Sequence, residues 1–184
     1  MSGEDFEEKA AEMNAPHRKF VPSARSIGYA VAFFIIFGLA AGQVGTTSKM
    51  LQKYGNAVVR YPDAETKHVI GLLLFTGIAS LLLALGSPFS PLYFLSFMTF
   101  ALSVISITGA GILNHEIPFN ASCSNTGSVT GNWAGFGSDC KVMVGLEGIS
   151  WALWAVQFLV AIGLFVDAFT HGKKGHKRHY VYGA

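Results

Sequence analysis

IGYAVAFFIIFGLAAGQVGTTS, running from Ile27 to Ser48, decides the reading of this chain. It contains no Asp, Glu, Lys, Arg or His, and it is bounded by Arg25 on one side and Lys49 on the other. An apolar run longer than about 18 residues between charged flanks is the pattern of a helix that crosses a bilayer. Three more such stretches follow. HVIGLLLFTGIASLLLAL covers His68–Leu85, a third runs from Leu92 to Leu113, and a fourth from Val144 to Phe169. Each reaches about 27 Å or more at about 1.5 Å per residue, against a hydrocarbon core of about 30 Å. GSPFSP (Gly86–Pro91) separates spans two and three, and its prolines cannot continue a helix interior.

The composition agrees with a membrane protein. Of 184 residues, 51% are hydrophobic and only 13% charged, where about 25% charged is usual for soluble domains. Lipid offers no hydrogen bonds to backbone groups, and the period-2 alternation of barrel strands is missing, so the spans read as helices. The expected fold class is all-α, a four-helix transmembrane bundle. Its membrane domain occupies residues 27–170, with spans 27–48, 68–85, 92–113 and 144–169. An N-terminal arm (1–26) and a basic tail (171–184) flank it. The acidic opening (Glu4, Asp5, Glu7, Glu8, Glu12) does not read as a signal peptide. Ser2 lies outside the N-myristoylation pattern, and no prenylation box is present.

Four spans put both ends on one side. That side carries eight basic residues: Lys9, Arg18, Lys19, Arg25, Lys173, Lys174, Lys177 and Arg178. The other carries five: Lys49, Lys53, Arg60, Lys67 and Lys141. The balance favours cytoplasmic ends, although the four basic residues of the first loop pull the other way. Cys123 and Cys140 share the loop between spans three and four. A lone pair there suits a disulfide in an oxidising compartment, worth roughly 3 kcal/mol in the loop-entropy model. Asn120-Ala121-Ser122 in the same loop is a candidate glycosylation acceptor. These signals place the chain in the plasma membrane or a secretory-pathway membrane.

The remaining polar residues fall into stripes. Ser96, Thr99, Ser103, Ser106 and Ala110 share one face of span three. Glu147, Ser150, Trp154, Gln157 and Ala161 share one face of span four, and span one offers Gly38, Gly42 and Gly45. Membrane helices meet through small and hydrogen-bonding side chains, so all three stripes are expected to face the bundle interior. A polar transport path is the sharper alternative, but the stripes contain almost no ionisable groups for a proton relay. Glu147 and Asp167, near the ends of span four, are expected to act at the interface. Trp133 and Phe136 either form a recognition surface or pack within a stapled connector; the connector is preferred. The tail, with Lys173, Lys174, Lys177 and Arg178, is suited to anionic lipid headgroups. Its histidines sit among cations and make poor metal ligands.

No nucleophile elbow, P-loop or HExxH is present. Two cysteines alone are a poor zinc site, and they are too far apart for a CxxC redox centre. The expectation is therefore no enzymatic activity, no cofactor and no metal. A net charge of +2 gives no reason to expect nucleic-acid binding.

The basic segment before span one, the moderate first loop, the GSPFSP turn and the final CKVMVGLEGISWALWAVQFLVAIG (Cys140–Gly163) together resemble the MARVEL family of tetraspan membrane proteins. The first loop lacks the Trp and Cys signature of claudin-like proteins, and the CCG motif of tetraspanins is absent. The resemblance implies a non-enzymatic role in membrane apposition, trafficking or lateral membrane domains, with lipids, other integral membrane proteins or further copies of the chain as partners. Two other classes are an accessory subunit of a transporter or membrane enzyme complex, and a small transporter or channel.

Overall fold

A computed structural model of the protein describes residues 24–55, 57, 60–119 and 122–171, the first and last of these to the extent of their backbone. Four helices carry the fold: α1 (Ala24–Tyr54), α2 (Ala64–Gly86), α3 (Leu92–Glu116) and α4 (Cys140–His171). A 3₁₀ segment, Gly131–Asp139, leads directly into α4. All four helices are long and apolar enough to cross a membrane, and the chain is a multi-pass integral membrane protein on that ground. Each helix contains the apolar span expected at its position and runs past it. At about 1.5 Å per residue they measure about 46, 34, 38 and 48 Å. Against a hydrocarbon core of about 30 Å, α1 and α4 have a surplus of several turns.

The helices pack as a closed ring, α1 on α2, α2 on α3, α3 on α4 and α4 back on α1. Local chemistry sets the corners. Gly55 ends α1 in the left-handed region (φ +69°), with its N–H bonded to the Leu51 carbonyl at 2.7 Å; glycine takes that conformation without steric cost. Pro91 stands at the N-cap of α3, where its missing N–H removes no helical bond. In the turn before it, the Ser87 and Ser90 hydroxyls bond the Ala84 and Gly86 carbonyls, both at 2.9 Å.

The outer surface is apolar and aromatic, with Phe34, Phe75, Phe97, Leu159 and Phe169 all exposed. Two apolar clusters fill the inside. Phe33, Ile36, Leu95, Leu153 and Leu164 form the one nearer the chain ends. Met50, Ile70, Leu73, Leu113, Met143 and Leu146 form the one beneath the loops. Hydroxyls buried between the helices bond carbonyls of the preceding turn, as Thr76, Thr99 and Ser150 do to Leu72, Leu95 and Leu146.

The glycines of α1 differ from expectation. Gly38 and Gly45 face outward, and a Cβ on either would meet nothing within 4 Å. Gly42 is half-buried, and its Cβ would touch Ile149 of α4 at 3.6 Å, an ordinary contact. The interior line of α1 is Phe33, Ile36, Ala40, Gln43, Thr47 and Met50. Close helix approach occurs instead at Gly77 of α2. A Cβ there would lie 2.8 Å from Val44 Cγ2 and 3.4 Å from the Ala40 carbonyl oxygen. Val44 is β-branched and stiff at χ1, and the carbonyl behind it is fixed in α1. Gly77→Ala should therefore lower stability by about 1–3 kcal/mol through overpacking. Gly38→Ala should leave it unchanged or slightly higher. Thermal denaturation of the two variants in detergent distinguishes these outcomes; equal behaviour would place the α1–α2 contact elsewhere.

Candidate functional site

Three polar assemblies stand out, one along the axis and one at each end. On the axis, Gln157 of α4 is fully buried. Its Oε1 accepts from the Ser106 hydroxyl of α3 at 3.2 Å, and its Nε2 donates to Ser80 Oγ of α2 at 2.7 Å. Ser80 in turn donates to the Thr76 carbonyl at 2.7 Å. One side chain thus joins three helices and crosses the bundle to the helix opposite its own. Gln43 of α1 does related work nearer the loops, donating from Nε2 to the Leu73 carbonyl at 2.7 Å. Its Oε1, with Thr66 Oγ1 and Ser96 Oγ, is buried without a hydrogen-bond partner among the described residues.

At the chain-terminal end, Asp167 of α4 receives the Tyr29 hydroxyl at 2.7 Å and pairs with Arg25 at 3.2 Å, both from α1. This contact puts the start of α1 and the end of α4 on the same face of the bundle. Glu147, the other acidic group of span four, accepts from Asn114 Nδ2 of α3 at 2.6 Å.

At the opposite end the two larger loops form a cap. Cys123 and Cys140 are joined by a disulfide, their Cα atoms 6.0 Å apart, and neither is free. Cys123 has φ +55°, an uncommon conformation for a residue with a Cβ. The bridge folds the 3₁₀ segment over α1 and the first loop. Phe136 is buried against Tyr54, ring centroids 4.8 Å apart, and Trp133 meets Phe119 edge-on at 5.8 Å. Asn132 donates to the Pro62 carbonyl at 3.0 Å. Trp133 and Phe136 therefore pack the connector, as preferred above, and do not stand out from its tip.

Asp139 locks the cap to α1. It accepts from Lys53 Nζ at 2.6 Å and from the Tyr54 hydroxyl. Burial pushes its pKa up. The Lys53 and Tyr54 hydrogen bonds, with the charges of Lys53 and Lys49, outweigh burial and hold the carboxyl below its ordinary range. This cluster was missed in the sequence, although Asp139 immediately precedes Cys140 and the disulfide fixes its place.

Ser103, Ser106 and Gln157 are buried between helices, whereas Gly38 and Gly45 are not. Asn120, Lys173, Lys174, Lys177 and Arg178 lie outside the described residues. Among the described residues, no group of three or more His, Cys, Asp or Glu side chains could hold a metal ion. The bonded axis, the outward aromatic surface and the cap describe a bundle built to present its exterior to the membrane. In comparisons with known proteins, no family model, no curated protein and no solved structure matches the chain.

A carboxyl whose pKa is depressed by folding contributes stability above its unfolded value, about 3.9, and loses it as pH falls through the lower folded value. Asp139→Asn should therefore melt earlier than wild type at pH 7, and the gap should shrink below about pH 4. A gap independent of pH would show that charge is not what Asp139 supplies. Cys123 and Cys140 should resist a thiol label until a reductant is added, after which the melting point should fall by the equivalent of roughly 3 kcal/mol. Labelling of both without reductant would refute the bridge.

Proposed function

We propose that the protein is a non-enzymatic, MARVEL-like tetraspan that organises membrane domains or trafficking through lateral contacts with lipids, other membrane proteins or copies of itself. The observation that carries this reading is the Ser106–Gln157–Ser80 chain across the bundle axis. A solute path needs polar groups that can exchange partners with the solute. Here Ser106, Gln157 and Ser80 are engaged with each other across the axis, and the accessible surface of the helices is the apolar exterior. The long α1 and α4, pinned together at both ends, give that exterior a fixed shape.

Both chain ends are proposed to be cytoplasmic. The disulfide-bonded cap suits the oxidising side, and the basic excess of the end segments agrees. A plasma membrane or secretory-pathway location follows from that orientation.

The test is reconstitution of purified protein into sealed vesicles. Energy transfer between labelled copies should exceed the random-mixing level at every protein-to-lipid ratio, while ion and small-solute flux stays at that of empty vesicles. Flux that disappears in Gln157→Leu would replace this reading with a transporter. One dominant stoichiometric partner after purification in mild detergent would replace it with an accessory subunit.

A further inference from the structure

At the chain-terminal end a groove of about 250 Å³ opens between α1 and α4. Its wall is Gly28, Tyr29 and Ala32 from α1 with Leu159 and Val160 from α4, and Arg25 stands at its mouth. The lining is almost wholly apolar. Gly28 lines it and is exposed, and a Cβ there would meet nothing within 4 Å, so a larger side chain at this position has room to occupy the groove. The groove follows the seam below Arg25 for about two turns of α1.

We propose that this groove holds one acyl chain of an anionic glycerophospholipid whose phosphate rests on Arg25. The inference builds on the lateral-contact reading above and names a lipid class for one place on the surface. Three observations fix the occupant. The walls are apolar and lipid-facing, with Leu159 67% exposed, so they suit a hydrocarbon chain. The Arg25 side chain is 57% exposed, while its ion-pair partner Asp167 is 16% exposed. Asp167 thus holds Arg25 beside the groove it lines, with more than half of the Arg25 side chain still accessible to a phosphate. Tyr29 bonds the other carboxylate oxygen and holds that arrangement. Guanidinium groups bind phosphate through parallel N–H donors, which favours it over a sterol hydroxyl or a neutral headgroup.

The experiment is native mass spectrometry of the full chain released from bicelles of phosphatidylglycerol and phosphatidylcholine with matched acyl chains. Wild type should retain one phosphatidylglycerol per chain, in preference to phosphatidylcholine by about fivefold, the factor that about 1 kcal/mol per basic residue near an anionic surface implies. Arg25→Gln should retain lipid without the preference. Gly28→Leu, which fills the groove and leaves the Arg25–Asp167 pair in place, should lose the retained lipid while melting as wild type does in lipid-free detergent. Lys49→Gln, at the other end of α1, should keep both retention and preference. Unchanged retention in Gly28→Leu, or no stoichiometric lipid on wild type, would overturn the proposal. Energy transfer between copies in the preceding experiment is independent of this groove. Its persistence alongside a negative lipid result would dismiss the lipid site alone, and its absence would dismiss the broader function.

Discussion

Gln157 lies near the middle of α4, where hydrocarbon surrounds the bundle and water cannot complete its hydrogen bonds. An amide there must find partners on neighbouring helices. It finds two, one on α3 and one on α2. That requirement fixes more than the contact itself. Ser106 and Ser80 must face the axis at the same depth, which sets the rotation of α3 and α2 and their register against α4. Gln43 imposes a similar constraint on α1 through the Leu73 carbonyl. Apolar packing supplies little of this selectivity, because a leucine that faces lipid and one that faces a helix have similar surroundings.

The four helices were legible because membrane spans are written in composition, and charges mark their limits. The interior of α3 was legible as well: Ser96, Thr99, Ser103, Ser106 and Ala110 are all buried. The interior of α1 was not, because its glycines are an ambiguous marker. Glycine permits close approach but does not require it, so Gly38 and Gly45 can face lipid without penalty. Gln43 and Thr47 have no such freedom, and their spacing with Ile36 and Ala40 defines the buried line. The two glycines where another helix crowds closest, Gly77 and Gly109, carry no sequence signal that sets them apart from the other glycines of their spans. Their role depends on Val44 and Leu73, which only the packed bundle brings near.

The loops were half-legible. Two cysteines in one loop indicated the bridge, but the direction of fold-back depends on contacts between distant segments. Phe136 against Tyr54, Asn132 on Pro62 and Asp139 on Lys53 each join the third loop to α1 or the first loop. The surplus length of α1 makes these contacts available, since it carries Lys53 and Tyr54 beyond Ser48, where the apolar span ends. Loop and helix length are therefore one feature: the cap needs an α1 that outreaches the bilayer.

Both carboxylates that clasp α1 reach it from segments far along the chain. Tyr29 and Asp167 are 138 residues apart, and Lys53 and Asp139 are 86 apart. At about 5–20 residues per second, Tyr29 precedes Asp167 out of the ribosome by roughly 7–30 s. For most of that interval Gln157, the partner of Ser80 and Ser106, has not yet been made either. Closure of the ring therefore waits on the synthesis of α4. A chain interrupted before α4 therefore lacks both clasps on α1 and the amide that ties α2 to α3 across the axis.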